Sequence, residues 1–386
     1  MNLIVPKTQH RGPIPDAVTS AAPAGLPTRR ARETNLFDIM RILAASMVLW
    51  AHAYALTGGS PPGWYGNSVG TMGVKIFFII SGLMITGSWL ADPRLHAFAL
   101  RRILRIFPAL ALVVLLSALV LGPIFTTLPL HDYLLAHGTR FYLWNIALYP
   151  VYSLPGMFAG LPYPSAINGS LWSLPAEMAM YILTPFVIGR AAESARCSIA
   201  VFFVVSAIAG VYFVRYVTID PVPVFYGSSL TSVLEMTPYF QIGALYAVFR
   251  LNRYGRPLFS ICLFLVVGAG LQVVSSKVNA YAISEILLLL TLPYMVISVG
   301  SVTVGGTLGR LLSRADVSYG LYLYGFPVQQ TIAALWPGRI GALGNLALTL
   351  PITFVLALFS WKTVEQTALR LKPGRPVRKE VQNGGS

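Results

Sequence analysis

The sequence predicts an all-α polytopic membrane protein with about ten transmembrane helices and both termini in the cytoplasm. Three observations predict it. First, the 386 residues are 55% hydrophobic and only 11% charged, with a mean hydropathy of +0.67, whereas soluble domains carry roughly a quarter charged residues. Second, apolar runs of bilayer-spanning length, about 20 residues, recur at roughly 36–57, 69–91, 103–126, 171–189, 197–217, 231–249, 257–275, 280–300, 317–336 and 341–361. Third, with an even number of spans, 22 of the 28 basic residues fall on the side of the termini and only Arg140, Arg215, Lys277 and Arg339 on the other, a positive-inside pattern. That distribution accounts for the net charge of +15 without nucleic acid. Residues 1–34 are expected to be a disordered basic cytoplasmic tail and 371–386 a basic cytoplasmic tail, flanking a transmembrane domain over 35–370.

The first span, Asn35 to Thr57, places Asp38, Arg41 and His52 in or beside an apolar run. Each is costly in hydrocarbon, so each is a functional candidate. Arg41 and His52 lie roughly 16 Å apart along a helix, one near each membrane face, and share a helical face with Asp38, Ala45 and Val48. A Gly/Pro turn over 58–68 follows. In the second span Ser81 and Gly82 suit close helix approach, and Lys75 is expected to snorkel to the interface. Arg101, Arg102 and Arg105 crowd the cytoplasmic mouth of the third span. They read either as positive-inside anchors or as a site for a multiply charged phosphate group.

Residues 127–170 form the longest external segment, rich in Tyr, Trp and Pro. Its rings suit either a carbohydrate-like acceptor or an interfacial belt. Beyond it come Ser170, Trp172 and Ser173, then Glu177 inside an apolar stretch, where its partner should be a cation or a polar helix end. The sequon Asn168-Gly169-Ser170 is too short a pattern to carry weight. Glu235 and Glu285 read as supports of the site or as helix-end residues. The ninth span holds Tyr319, Tyr322 and Tyr324, with Gln329 and Gln330 needing hydrogen-bond partners. Cys197 and Cys262 lack metal-ligand spacing, imply no disulfide, and read as small fillers. The segments 36–190 and 197–361 show no similarity to each other.

Arg41-x10-His52 with Asp38, Phe77–Gly82 (FFIISG), RRILRIFPAL from Arg101, SLWSLPAEMAMY from Ser170, VSYGLYLYGFPV from Val317 and WKTVEQTALRL from Trp361 occur in order. Together they resemble the acyltransferase-3 family of integral-membrane acyltransferases, over nearly all of residues 35–370. The chain differs where many members carry an acidic pair, since Met178 follows Glu177. The resemblance implies transfer of an acyl group, acetyl above all, from acyl-CoA to a carbohydrate hydroxyl at a bacterial inner membrane. Acetyl-CoA would be a donor substrate, with no permanently bound cofactor, and the acceptor would be lipid-linked or free. His52 and Glu177 are then the catalytic candidates, with Asp38, Arg41, Arg101, Arg102, Arg105, Ser170, Trp172, Tyr322 and Tyr324 as binding candidates. Desolvation disfavours an imidazolium, so His52 is expected to act as general base, with Glu177 orienting it as in a triad. A transporter of a polar or glycosylated substrate, or a non-catalytic scaffold, remains the alternative reading of the spans.

Overall fold

A computed structural model describes residues 34–189, 192–216, 222–274, 281–305 and 316–374. Most of both tails, together with Arg190, Lys277, Arg310 and Arg314, lies outside the described residues. Among the described residues are ten helices of 16 residues or more: α1 (Phe37–Leu56), α2 (Val69–Ala91), α3 (Leu95–Leu116), α4 (Ser173–Ile188), α5 (Ala192–Tyr216), α6 (Leu230–Phe249), α7 (Pro257–Val274), α8 (Tyr281–Gly300), α9 (Ser318–Leu335) and α10 (Ala342–Ser360). Six stretches are long and apolar enough to cross a membrane: Phe37–Leu56, Val69–Ala91, Leu95–Phe125, Gly169–Ile188, Ala282–Gly300 and Ala342–Leu369. One end of the bundle holds Asn35, the α2–α3 junction and Gly374, and is called proximal below. The distal end holds the hairpin before α2 and the segment 126–172.

The core is built where small residues let backbones meet. A Cβ on Gly82 of α2 would lie 1.9 Å from the Phe240 carbonyl oxygen of α6, and one on Gly243 of α6 would lie 2.2 Å from that of Ile79 in α2. The expected close approach at Gly82 is therefore present, and it is reciprocal.

The reciprocity extends to sequence. Pro62-Gly-Trp-Tyr-Gly-Asn-Ser68 before α2 matches Pro223-Val-Phe-Tyr-Gly-Ser-Ser229 before α6. Both form two-residue hairpins of the same register, Gly63 opposite Ser68 and Val224 opposite Ser229. Their turns, Tyr65-Gly66 and Tyr226-Gly227, have positive φ at both positions, as the right-handed twist of a tight hairpin favours. In each, the first helical residue donates its N–H to the proline carbonyl, Val69 to Pro62 and Leu230 to Pro223. The absence of internal similarity expected between 36–190 and 197–361 is thus corrected. The repeated unit is a hairpin and its helix, too short to emerge when halves are compared.

Lys75 does not snorkel. Its ammonium is fully buried, donating to Asn67 Oδ1 and Glu285 Oε1, each at 2.7 Å, with Glu235 at 3.0 Å. Tyr239 donates to the same Glu285 oxygen. Carboxylates from α6 and α8 make burial of the cation tolerable, which explains Glu235 and Glu285 as partners of Lys75 rather than as helix-end residues. Cys197 and Cys262 are exposed on the outer wall of the bundle and do not fill it.

The segment 126–172 is ordered by its aromatic rings. Tyr133 and Tyr142 are fully buried, and the Tyr133 hydroxyl donates to the Ala118 carbonyl at 2.7 Å. Ala118 sits in a π-helical turn, Ser117–Leu121, where widening of the helix changes the normal pairing of carbonyls.

Candidate active site

A cavity of about 460 Å³ opens among α1, α2, α3, α4 and α9, lined by Arg41, Arg102, Arg105, Glu177 and Tyr322. Five candidates drawn from four distant stretches of sequence thus meet in one chamber. The guanidiniums are not equivalent. Arg41 pairs with Asp38 at 3.0 Å one turn earlier, which holds Asp38 behind it. Arg105 is bridged to Asp316 at 2.6 Å and to Glu365 at 3.4 Å. Arg101 turns away from the chamber to Asp92 at 2.7 Å, and Arg94 reaches the same carboxyl at 2.8 Å. Those hydrogen bonds hold the Asp92 carboxyl well below the usual carboxylate range. Arg102 has no acidic partner among the described residues. It lies near the Phe98 and Tyr181 rings, and its buried Nε makes no hydrogen bond. Of the three arginines expected to crowd this entrance, Arg102 and Arg105 line the chamber and Arg101 does not, and of the three only Arg102 has no acidic partner among the described residues.

Glu177 faces α2. Ser81 Oγ donates to its Oε1 at 2.9 Å, and Tyr181, four residues on along the same face of α4, donates to the same oxygen. None of its hydrogen bonds reaches His52. The expected orienting contact is absent because α4 turns this carboxylate toward α2 and the chamber.

His52 lines neither this cavity nor the distal cleft described below. Its ring packs edge-on against Phe326 of α9, with centroids 5.0 Å apart, and its buried Nδ1 has no hydrogen-bond partner. Phe326 in turn meets the Tyr163 ring at 6.0 Å. Gly169 is small for this reason, since a Cβ there would lie 2.6 Å from the Phe326 ring.

Ser170, Trp172 and Ser173 belong to the segment that separates the cavity from the distal end. Asn168 is buried and pins the segment by donating to the Leu323 carbonyl at 2.9 Å, so the sequon asparagine is engaged in the interior. Tyr322 donates to the Ser170 carbonyl at 2.8 Å and shares a hydrogen bond of 2.6 Å with Ser173 Oγ. Ser173 lines the proximal cavity, whereas Trp172, one residue earlier, lines a cleft at the distal end. Tyr324, roughly 200° around the helix from Tyr322, is buried and lines neither. Gln329 and Gln330 find acceptors in the Leu49 and Tyr163 carbonyls, at 2.8 and 2.7 Å, and tie α9 to α1 and to the distal segment.

Sequence reasoning missed Asp316, Glu365, Ser81 and Tyr181 as groups organising the chamber. Glu365 had a signal, being an acid inside the closing Trp361–Glu365 stretch. That stretch is a second π-helical turn, a distortion common at functional sites.

A model of a family described as an acyltransferase domain matches residues 35–362. The chain belongs to the acyltransferase-3 family. It is 28% identical over 362 residues to an O-acetyl transferase of Shigella phage Sf6, covering 87% of this chain and 96% of that protein. It is also 28% identical over 370 residues to Nodulation protein 10 of Rhizobium leguminosarum bv. viciae, covering 89% and 96% respectively. No solved structure matches it. This member of the acyltransferase-3 family is an enzyme of acyl transfer and a helical, multi-pass membrane protein.

Proposed function

We propose that the chain is an O-acetyltransferase of the bacterial inner membrane that takes acetyl from acetyl-CoA at the cytoplasmic face. It delivers the group to a carbohydrate hydroxyl, lipid-linked or free, presented at the opposite face. One observation carries this reading: adjacent residues of a single thin segment, Trp172 and Ser173, line chambers facing opposite ends of the bundle. The positive-inside pattern supports ten spans with the proximal end and both tails in the cytoplasm, around a catalytic domain of residues 35–370. The name of the phage relative, an O-acetyl transferase, supports the acyl group and the atom it joins.

In this mechanism Arg102 receives the phosphates of CoA by charge-assisted hydrogen bonds. Arg41 and Arg105, held by their acidic partners, keep the mouth positive without folding over the ligand. The acyl arm runs past Phe77 and Phe78 toward Tyr322 and Ser173; Ser173, which gives its proton to Tyr322 in the free protein, turns it to the developing oxyanion. His52, with Nδ1 unengaged, takes the acceptor hydroxyl's proton as general base while the hydroxyl oxygen bonds to the acetyl carbon, the bond from that carbon to sulfur breaks, and CoA leaves as a thiolate that takes up the proton. Glu177 acts on the donor side, orienting Ser81 and Tyr181 rather than His52. Asp38 supports Arg41, while Arg101 keeps the entrance of α3 in place through Asp92.

Inverted membrane vesicles given radiolabelled acetyl-CoA outside and loaded with a carbohydrate acceptor inside test the reading. His52→Ala is expected to lower transfer by about 10²–10⁴-fold, the scale of general-base catalysis, with an unchanged melting curve. Normal transfer by a folded His52→Ala protein would overturn the role of His52. Failure of the wild type to consume acetyl-CoA with any acceptor would favour transport instead.

A further inference from the structure

The distal cleft has a chemistry of its own. It lies between the 152–172 segment and the start of α6, with a volume of about 580 Å³, within the range of small-molecule sites. Among the described residues, none of those lining it is charged. The hydroxyls of Tyr152, Ser153, Tyr163, Ser165 and Ser232 open onto it, and among the described residues none makes a hydrogen bond within the protein. Trp172 adds an indole face. The proximal cavity, by contrast, holds three arginines and a glutamate. The two chambers are therefore built for ligands of different charge.

We propose that this cleft is the acceptor subsite and that it selects an uncharged pyranose. Free serine and tyrosine hydroxyls would meet the sugar's hydroxyls, and the rings of Trp172 and Tyr163 would cover its apolar face. A carboxylate or phosphate on the sugar would enter a cleft with no cation to pair it, which is unfavourable. Phe326 stands between Tyr163 and His52, so it is the side chain that turns aside when the acceptor hydroxyl approaches His52. This inference rests on the proposed transfer for its use of His52, but binding in the cleft is measurable without turnover.

The experiment uses the full chain in lipid nanodiscs and saturation-transfer NMR. The probes are the methyl glycosides of glucose, galactose, mannose and rhamnose, beside the methyl glycosides of glucuronic and galacturonic acid. At least one neutral glycoside is expected to bind and both uronides to fail. Ser232→Trp, which fills the cleft, and Tyr163→Ala, which removes an exposed ring, should each weaken that binding by about tenfold, the scale of one lost polar or stacking contact. In transfer assays with a neutral oligosaccharide, both should raise the acceptor KM and leave the acetyl-CoA KM alone, while Phe326→Trp should lower kcat with little change in acceptor KM.

Uronides binding as well as neutral glycosides, no glycoside binding at all, or wild-type binding in both cleft variants would each overturn the inference. Transfer with unaltered acceptor KM in the variants would overturn it and leave the proposed function standing. Cleft-dependent sugar binding without any transfer from acetyl-CoA would uphold the sugar site and overturn the function instead.

Discussion

Arg101, Arg102 and Arg105 sit within two turns of one helix, yet they do three different things. Their spacing was legible in the sequence; their assignments were not, because Asp316 and Glu365 lie more than two hundred residues from Arg105. The pairing leaves Arg102 as the proposed contact for the donor's phosphates. Arg102→Ala is expected to raise the KM for acetyl-CoA about 10–100-fold, as removal of a charge-assisted hydrogen bond of about 1.5–3 kcal/mol implies. Arg102→Lys should recover only part, since an ammonium lacks the planar fork. Arg101→Ala should lower the melting temperature and spare that KM. Asp92, at the α2–α3 junction, ties these effects to pH. Its carboxyl is held low by Arg94 and Arg101, so its contribution to stability is complete above the ordinary carboxylate value of about 4. The contribution is lost as pH falls from there through the depressed value. Melting curves of Asp92→Asn should therefore show a weaker decline below about pH 4 than the wild type.

At the scale of elements, the sequence located most helices because their apolar runs are continuous. Arg41-x10-His52 was legible because one helix carries both residues. Lys75 was misread because snorkelling is the cheap solution for a lysine near a span end, and its acidic partners reside on α6 and α8. Those partners make the cluster a lock between three helices. Lys75→Met strands the carboxylates of Glu235 and Glu285 without their shared cation and should destabilise the protein by about 3–5 kcal/mol. Lys75→Met combined with Glu235→Gln and Glu285→Gln should cost less, because no buried charge is stranded. Thermal unfolding in detergent measures both. The two hairpin-helix units diverge at this point. The first hairpin supplies buried Asn67 to the lock, whereas the second, with α6, lends Ser229 and Ser232 to the distal cleft.

At the scale of the whole molecule, the family and the helical membrane architecture were legible from ordered motifs and composition. The two-chamber arrangement was not. The wall between the chambers is the short turn Asn168–Ser173 pinned by Asn168, Tyr322 and Phe326, and such a turn has no periodicity to read. His52, expected as general base, lies behind Phe326, away from the lining of either chamber. If the proposed donor chamber and acceptor cleft serve opposite faces, transfer is vectorial. The most direct measurement uses proteoliposomes of one orientation, with labelled acetyl-CoA confined to the face bearing the termini and a neutral oligosaccharide sealed on the other. Acetylated oligosaccharide should form in the opposite compartment, and none should form when the two substrates exchange sides. Transfer that requires both substrates on one face would contradict a reaction across the Trp172–Ser173 wall.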